Sequence, residues 1–445
     1  MGQIIASKAI VVGSGMGGLS AACALAPFFE SVLILERDAL PDRASNRPGT
    51  PQSPHLHILL GGGSAALEDL LPGFSRDLVQ AGAVEMRAGL DLLTERPGFD
   101  PFPQRDLGWT VYSSSRALLE YVTREHVQRL SNVEIRDHCR ATAFDLDTKT
   151  RTVTGVQIIN ESGTAETLKA TLMVDASSRG LLAIQALAEL EMPLPEESEV
   201  GVDIAYATTV FKIPEDAPKN WKGILHASSA PASSRAGLIT PVEGGNWCVN
   251  LSGKHGEKPP ADLEGFKAYA KTLRTQTIYD AIRDAELVDP IRRFALPSSM
   301  RRHFEKLQAF PDGLLVVGDV ICRFNPAFGQ GMSVAAQEAK TLKHVLENRL
   351  TNTEPLRGLA AVFFDAIQDF LAAPWSVAET DFVFPQTRGL RPPNFQQRIA
   401  YLGGLLKIAA VDADVHRLFI KVTHLMAKST ELQAWPLAAR VAAIS

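Results

Sequence analysis

The first forty residues alternate between apolar runs and one glycine-rich turn. Residues 8–13 (KAIVVG) and 31–36 (SVLILE) are short apolar runs typical of buried strands, and residues 18–27 (GLSAACALAP) have the composition of a helix that ends at Pro27. A strand, a helix and a strand in so short a stretch predict a βαβ unit with parallel strands and a right-handed crossover. Residues 9–29 carry no charge and would by length suit a signal peptide or a membrane span, but the glycines interrupt any continuous helix.

A long polar loop and an amphipathic helix follow this unit. Residues 40–54 are rich in Pro, Arg, Asn and Ser, and loops of that length in compact domains are usually functional or mobile. Residues 114–130 have apolar positions at helical spacing, and Ser114 or Ser115 is suited to cap the helix.

The remainder of the chain falls into strand-rich and helix-rich stretches. Short strand-like runs between residues 133 and 170 predict a small antiparallel layer that leads back to a buried strand at 171–175. Residues 200–255 predict a second, mainly antiparallel sheet, followed by a helix at 261–287. Residues 313–319 (GLLVVGD) predict another buried strand, followed by a long helix at 329–349 and a helical region from 355 onward that the prolines of 385–393 interrupt.

These elements predict an α/β fold in which a Rossmann-like domain is interrupted by a mainly antiparallel-sheet domain. A C-terminal helical region completes the chain. The first domain is expected to comprise residues 1–75, 111–190 and 291–354, the second, substrate-binding domain 76–110 and 191–290, and the helical region 355–445.

Composition and charge narrow the class of protein. The 445 residues are 45% hydrophobic and 21% charged, which is ordinary globular usage. The net charge of −5 offers no general attraction to phosphate backbones, so we expect no nucleic-acid partner. The four cysteines are widely spaced, so neither a zinc site nor a disulfide framework is indicated and the expected compartment is the cytoplasm. No membrane contact is expected, because the C-terminal amphipathic helices carry charges of mixed sign.

The glycine-rich turn has the spacing of a dinucleotide-binding site. Gly13, Gly15 and Gly18 form GxGxxG between the first strand and the first helix, and Glu36 ends the second strand. The glycines permit a tight turn, an approach of the backbone to a pyrophosphate and close packing of helix on strand, and the helix N-terminus favours the negative charge. A carboxylate at the end of the second strand can accept hydrogen bonds from ribose hydroxyls.

A second motif some 300 residues later favours a flavin. Gly318 and Asp319 end an apolar strand and lead through NPAFGQGM (325–332) into a helix. An acid at that position can bind a ribityl hydroxyl, and the amides of a glycine-rich turn at a helix N-terminus can face the pyrimidine side of an isoalloxazine ring.

The chain resembles the flavoprotein monooxygenases of the para-hydroxybenzoate-hydroxylase fold. The fingerprints are GSGMGG, DASSRG (175–180) and GDVICRFNPAFGQGM (318–332). Within that group it is most similar to the polyene epoxidases of polyether antibiotic biosynthesis, of the monensin and lasalocid type. RPGTPQSPHLHILLGGG (47–63), VDIAYATTVFKIP (202–214), DGLLVVGD (312–319) and PWSVAETDF (374–382) carry this closer likeness.

The resemblance implies roles for individual residues. The non-covalent FAD would be held at its pyrophosphate and adenosine by Gly13, Gly15, Met16, Gly17, Gly18, Glu36, Arg37, Arg116, Ala141 and Asp175. Its ribityl chain and ring would be held by Asp319, Pro326, Gly329, Gly331 and Met332, with Arg47 and Gln52 in the loop that passes near the flavin and Phe328, Gly329 and Gln330 as the wall beside the ring. No catalytic side chain and no metal is expected, because the flavin carries the chemistry.

The implied activity is oxygen insertion through a flavin C4a-hydroperoxide into a small hydrophobic substrate, as in the epoxidation of an alkene or polyene. The electrons would come from NAD(P)H or from a partner flavin reductase, and O₂ would be the co-substrate. Three alternatives stay open: an aromatic hydroxylase, a flavin-dependent reductase or dehydrogenase, and a non-catalytic flavoprotein. An alkene needs only an apolar slot, whereas a phenol usually needs a polar partner, and no polar cluster suited to that task is evident in the sequence.

Overall fold

The computed structural model describes residues 3–444. The strands are β1 (Ala6–Val12), β2 (Phe29–Leu35), β3 (Val84–Arg87), β4 (Leu92–Glu95), β5 (Thr110–Ser113), β6 (Val133–Arg136), β7 (Arg140–Asp147), β8 (Thr152–Ile159), β9 (Ala165–Lys169), β10 (Leu172–Asp175), β11 (Glu197–Lys212), β12 (Gly223–His226), β13 (Ala236–Val242), β14 (Asn246–Gly253), β15 (Arg292–Arg302), β16 (Leu314–Val316) and β17 (Cys322–Arg323). The helices are α1 (Met16–Leu25), α2 (Gly61–Leu70), α3 (Phe74–Gln80), α4 (Arg116–Gln128), α5 (Leu181–Glu189), α6 (Leu263–Lys271), α7 (Thr277–Ile282), α8 (Gly331–Glu347), α9 (Leu359–Ala366), α10 (Gln368–Glu379), α11 (Phe395–Val411), α12 (Ala413–Thr423) and α13 (Leu437–Ala442).

A five-stranded parallel sheet forms the first layer, in the order β16-β10-β1-β2-β6. Its central strands are apolar in their carboxyl halves because helices cover both faces of such a sheet, and residues 9–12 of β1 are at most 6% exposed. Val12 pairs with both Leu35 and Asp175, and Asp175 pairs with Val316. The carboxyl ends of these strands therefore meet at one edge, which is where open α/β sheets bind ligands.

A seven-stranded sheet forms the second layer, in the order β17-β15-β11-β14-β13-β12-β4. All neighbours are antiparallel except β12 and β4. One face packs on α6 and α7 through a separate apolar core that includes Phe211, Phe266 and Ile278. The other face turns toward the first layer, since Ile204 and Tyr206 belong to the core of the parallel sheet.

Most of the predicted elements are confirmed. The βαβ unit, the loop before residue 60, the helix capped by Ser115 and the second, mainly antiparallel sheet are all present. The C-terminal region is helical, with α11 and α12 sharing an apolar core. The prediction of a mixed α/β fold with a C-terminal helical region is correct.

Three predictions about local structure are wrong. The run at 133–137 is not part of the antiparallel layer, because β6 pairs with β2 at the edge of the parallel sheet. The predicted helix 261–287 is two helices, α6 and α7, and Thr275 in the segment between them donates its hydroxyl to the buried carboxylate of Glu95. Strand β15 was not expected at all, and it carries the seven-stranded sheet to residue 302.

Candidate functional site

The three glycines of GxGxxG have three different roles in the turn between β1 and α1. Gly13 has a φ of +103°, and a Cβ there would lie 2.8 Å from the carbonyl oxygen of Ala176. A Cβ on Gly18 would lie 1.8 Å from the carbonyl oxygen of Gly13, so only glycine lets helix and strand approach this closely. Beside Gly15 there is open space, with no atom within 4 Å of a Cβ built there. The backbone is therefore bare where a pyrophosphate would approach.

The N-terminus of α1 opens onto this space. Gly15 is its N-cap and no side chain caps the helix, so the first backbone N–H groups have no partner within the helix. Met16 is buried at 4% exposure, and Gly17 lies against α8, 3.8 Å from the Cβ of Ala335 if a Cβ is built on it. An uncapped helix N-terminus beside an open glycine has the chemistry of an anion site.

Glu36 binds the same turn from the end of β2. Its carboxylate accepts hydrogen bonds from the backbone N–H of Ser14 at 3.0 Å and from the Ser14 hydroxyl at 2.8 Å. The Arg47 guanidinium lies 3.1 Å away. Glu36 thus lies where an acid would face the ribose, while Arg37, the next residue, points its side chain into solvent with 63% exposure.

A buried cluster of charges surrounds Arg47 in the long loop. Arg47 contacts Glu120 at 2.7 Å and Asp38 at 2.9 Å, and Arg116 contacts Glu120 at 2.8 Å. Burial opposes the ionised form of Glu120, but Arg116 and Arg47 outweigh it and hold the pKa of Glu120 below its usual range. Arg47 therefore lies beside Glu36, at the end of the site where the adenosine is predicted to bind.

Arg116 carries an unmatched donor. Its side chain is 5% exposed, and its Nη1 atom is buried with no hydrogen-bond partner. An orphaned guanidinium nitrogen in the interior is costly unless an anion meets it. With Gly15 and the N-terminus of α1, it gives the donor set that the phosphates of FAD require, so the residues present fit that cofactor.

The remaining residues that are predicted to lie near the adenosine are positioned at the ends of strands. Ala141 lies near the start of β7, and the backbone N–H of Cys139 just before that strand donates to the carbonyl of Glu36 at 2.7 Å. Asp175 is completely buried at the end of β10, and its two carboxylate oxygens accept from the backbone N–H groups of Ser177 and Ala183 at 2.9 and 3.0 Å. Burial raises the pKa of Asp175, and its bonds hold the turn into α5.

Asp319 lies at the start of the second motif. Gly318 has a φ of +67° and donates its N–H to the buried Glu338 of α8 at 2.5 Å. The Asp319 carboxylate accepts from the Ser178 hydroxyl at 3.3 Å and faces the start of α8, 3.8 Å from a Cβ built on Gly331. Burial raises the pKa of Asp319, and it raises the pKa of Glu338 to about 8.

The turn that follows leads into α8. Pro326–Phe328 form a single helical turn, Gly329 has a φ of +65°, and Gln330 caps α8 with 3% exposure and an unpartnered, buried Oε1. Gly331 and Met332 open the helix and are half-buried. The wall residues of the sequence analysis are thus contiguous with Asp319 at the carboxyl edge of the parallel sheet.

The loop of residues 47–60 crosses the site between its two halves. A Cβ on Gly329 would lie 3.3 Å from the Cβ of Ile58, and burial, followed by the charge of Arg116, lowers the pKa of His57 to about 3. Gln52 is half-buried, and its carbonyl accepts from the backbone N–H of His55 at 3.0 Å. This loop therefore contacts both the phosphate side and the ring side.

Sequence reasoning missed a polar group on the inward face of the seven-stranded sheet. The Thr208 hydroxyl accepts from Asn250 at 2.7 Å and lies 2.8 Å from Nδ1 of His55. Burial, and then the charge of Arg292, lowers the pKa of His55 to about 4, so its ring is neutral at pH 7. The period of two along VDIAYATTVFKI would have placed Thr208 and Tyr206 on one face, but the sequence could not supply the partners.

Two adjacent pairs of arginines differ in environment. Arg292 and Arg293 are exposed, as expected of a solvated face. Arg302 instead is buried at 7% exposure and bonds to Glu197 at 2.9 Å and to the carbonyl of Val320 at 3.0 Å, and Arg301 is half-buried. The two pairs therefore do not form one solvated basic face, because β15 carries the second pair inward.

Comparison with known proteins identifies the family. The chain matches the FAD dependent oxidoreductase family over residues 9–236. It is 31% identical to Protein Rv3254 of Mycobacterium tuberculosis over 357 residues, which cover 77% of this chain and 73% of that protein. The chain therefore belongs to the FAD dependent oxidoreductases, and FAD is its cofactor.

Solved structures with the same fold are flavoenzymes. The flavin-dependent brominase Bmp2 has a TM-score of 0.68 at 14% identity, covering 98% of this chain and 97% of that one. The p-nitrophenol 4-monooxygenase PnpA of Pseudomonas putida has a TM-score of 0.65 at 18% identity, covering 96% and 99%. At these identities the likeness concerns the fold.

The structure also bears on membrane-spanning helices, metal sites and the state of the cysteines. In residues 3–444, helices of the length and apolarity that a bilayer crossing requires are absent. Within the same residues, no group of three or more His, Cys, Asp or Glu side chains is arranged to hold a metal ion. All four cysteines are free and buried.

Proposed function

We propose that this protein is an FAD-dependent monooxygenase that inserts one oxygen atom of O₂ into a small hydrophobic substrate. One observation carries the proposal: the glycine turn at Gly13–Gly18 lies against Gly318 at the carboxyl edge of the parallel sheet, and the turn at 325–329 that follows Gly318 bonds to Tyr206 on the inner face of the second sheet. This arrangement offers a cofactor site and a substrate surface on either side of the same turn.

The FAD would be held by residues of both motifs. The bare backbone at Gly15, the N-terminus of α1 and Nη1 of Arg116 would meet the phosphates, Glu36 the ribose, and Asp319 the ribityl chain. When bound, the flavin supplies the activation of O₂, and the chain supplies placement and exclusion of water. The other oxygen atom leaves as water, which requires two electrons from NAD(P)H or from a partner flavin reductase.

Epoxidation of an alkene or polyene is the first candidate reaction. It is supported by the resemblance to polyene epoxidases and by the apolar residues beside the sheet, such as Phe294, whose ring lies 5.5 Å from that of His55. An alkene has no group that must be hydrogen-bonded, so an apolar surface is sufficient.

Hydroxylation of a phenol is the second candidate, and the cluster of His55, Thr208 and Asn250 favours it. A neutral histidine bound to Thr208 through Nδ1 keeps its second ring nitrogen for a substrate hydroxyl. Thr208 lies two residues from Tyr206, whose hydroxyl accepts from Ala327 in the turn at 325–329 at 3.0 Å. At about 3.3 Å per residue, Thr208 lies roughly 7 Å along the strand from Tyr206, the residue that contacts that turn.

Isotopically labelled dioxygen tests the reaction class. The FAD-loaded protein is reduced and mixed with labelled O₂ and a panel of polyenes and phenols, and products are analysed by mass spectrometry. One labelled oxygen in an epoxide or in a ring hydroxyl supports a monooxygenase and selects between the two candidates. Label found only in hydrogen peroxide across the panel, or reduction of the substrate without label, would contradict the proposal and favour a reductase or a non-catalytic flavoprotein.

The variant Thr208→Val provides a second test between the two candidate reactions, epoxidation and phenol hydroxylation. For a phenol, the variant is expected to raise KM about tenfold with kcat less affected, because one hydrogen bond in the recognition cluster is lost. For a polyene hydrocarbon, KM is expected to stay the same. Thr209→Val is the matched control, since Thr209 is equally buried and donates to the carbonyl of Asp289 on the other face of the strand.

A further inference from the structure

The segment PWSVAETDF (374–382) has so far no role in the site. It forms the end of α10 and the single turn Thr380–Val383 that follows. Within it, Asp381 is 3% exposed, which is unusual for a carboxylate in a helical region remote in sequence from both cofactor motifs. The partners of Asp381 explain its burial.

Asp381 joins the end of β14 to the first residue of the turn at 325–329. One carboxylate oxygen pairs with the Lys254 ammonium at the end of β14, and the other accepts from Nδ2 of Asn325 at 3.3 Å. The Lys254 ammonium also lies between two aromatic rings, 5.7 Å from the centroid of Phe328 and 5.4 Å from that of Phe384. Phe328 is one of the residues that form the wall of the flavin site.

Asn325 links Asp381 to the rest of the turn through further hydrogen bonds. Its Oδ1 accepts from the Tyr206 hydroxyl at 2.5 Å and from the backbone N–H of Ala327 at 3.1 Å. Its own backbone N–H donates to the Ser299 hydroxyl at 2.8 Å, and Asn325 is completely buried. Strands β11, β14 and β15 and the C-terminal region thus all hold one turn of the chain.

A buried network of this kind selects one arrangement of the turn. A buried ion pair contributes little net stability, but removal of one partner leaves an uncompensated charge. Each member therefore holds its neighbours in the geometry in which all are satisfied, and any displacement of Asn325 or Phe328 would break several bonds together. Such a network is suited to fix a position rather than to add stability.

We propose that Lys254 and Asp381 are positioning residues that hold the 325–329 turn in register with the flavin ring. Through this turn, the C-terminal region controls how well the oxygenating site excludes water. The inference rests on the proposed function, since it takes that turn as the wall of the flavin site. Neither side chain is required to contact the substrate.

The test compares the double variant Lys254→Met, Asp381→Asn with the wild-type protein, both loaded with FAD. Replacing both charges avoids an unpaired buried charge, so the fold is expected to persist. The visible absorption bands and the midpoint potential of the bound FAD are expected to shift. The fraction of O₂ released as hydrogen peroxide during turnover is expected to rise roughly fivefold or more, because a displaced wall admits water.

Glu379→Gln is the matched control. Glu379 lies in the same segment and pairs with Arg398 at 2.7 Å, outside the network of Lys254, Asp381 and Asn325. Its absorption bands, potential and peroxide fraction are expected to equal those of the wild type. Tyr206→Phe, which removes only the hydroxyl at the opposite end of the network, is expected to shift the same readouts in the same direction by a smaller amount.

Two outcomes would overturn the inference. The first is a folded double variant with wild-type bands, potential and peroxide fraction. The second, decisive should the double variant not fold, is a Tyr206→Phe protein with all three readouts unchanged. If the wild-type protein holds FAD but inserts no labelled oxygen, the proposed function fails, whereas shifted bands and potential in the variants would still uphold the positioning role.

Discussion

The two halves of the flavin site are built in opposite ways. In the proposed site, the phosphate half is built mainly from backbone groups of one short stretch, Gly13–Gly18, with Glu36 bonded to Ser14 only 22 residues away, and Arg116 adds one side-chain donor. The ring half consists of side chains from distant segments, of which Lys254 and Asp381 are 127 residues apart. Backbone donors tolerate many neighbouring side chains but not a Cβ in the wrong place. Side-chain donors can be exchanged one at a time, but each change disturbs the others.

Gly15→Val probes the backbone half and has the largest expected effect. The new side chain would fill the open space beside the turn, so FAD affinity is expected to fall by more than about 100-fold, or about 3 kcal/mol. The melting temperature of the apoprotein is expected to stay close to wild type, because a Cβ at Gly15 meets no atom within 4 Å. Titration with FAD and thermal denaturation measure the two quantities.

Gly403→Ala is the control for that experiment, since Gly403 of α11 is equally open but distant in sequence from both motifs. Full flavin occupancy in the Gly15→Val protein would mean that the open space does not receive the phosphates, and the contrast between the two halves would lose its basis.

Asp319→Ala probes the junction between the halves. Loss of a carboxylate that faces the start of α8 is expected to weaken FAD binding by about 2–3 kcal/mol, the value of a hydrogen bond to a charged group. Flavin content after gel filtration and turnover with reduced flavin measure the effect. Asp312→Ala is a suitable control, because that acid lies in the same DGLLVVGD segment but is exposed. Normal content and turnover in the Asp319 variant would contradict the ribityl assignment.

Glu36→Ala is expected to weaken FAD binding by about 1–3 kcal/mol through loss of the ribose contact. It also leaves the Ser14 N–H and Arg47 without their shared partner, so apoprotein stability is expected to fall as well. Glu36→Gln keeps an acceptor for Ser14 and should restore stability more than affinity. Unchanged FAD affinity in the alanine variant would mean that Glu36 stabilises the turn and does not contact the ribose.

Glu338→Gln gives the smallest expected effect and concerns pH. Because the pKa of Glu338 is raised to about 8 in the folded chain, the folded state binds a proton that the unfolded state releases between pH 4.5 and 8. Stability from this group is therefore present at low pH and is lost as pH rises toward 8. The glutamine variant is expected to reduce that loss by about 2 kcal/mol between pH 6 and 8, measured by urea denaturation. An equal change of the free energy of unfolding with pH in both proteins would contradict this prediction.

Local structure at the cofactor turn could be predicted because its cause is local. Gly13 and Gly18 are required by a positive φ and by a helix–strand approach, and both constraints act within a few residues. The placement of β6 and β15 could not be predicted in the same way. Their apolar patterns fit several partners, and only the pairing with β2 and β11 decides between them.

The contacts of individual site residues also depend on long-range packing and could not be predicted from local patterns. The pairing of Arg47 with Glu36 and Glu120, the two backbone bonds of Asp175 and the open donor of Arg116 depend on which chains meet around them. No polar cluster is evident in the sequence, although the structure contains one. His55, Thr208 and Asn250 come from a loop and two strands, and none of them is distinctive alone.

The cofactor class and the fold class follow from short patterns along the chain. GxGxxG, Glu36 and Gly318-Asp319 are short-range patterns whose geometry follows from the absence of side chains and from the ends of apolar strands. The surroundings of the proposed ring site depend instead on long-range packing. Tyr206, Lys254, Asn325 and Asp381 come together only where β11, β14, the turn at 325–329 and the segment after α10 converge. Burial then makes their hydrogen bonds mutually dependent, and no pattern along the chain records which buried groups will share a partner.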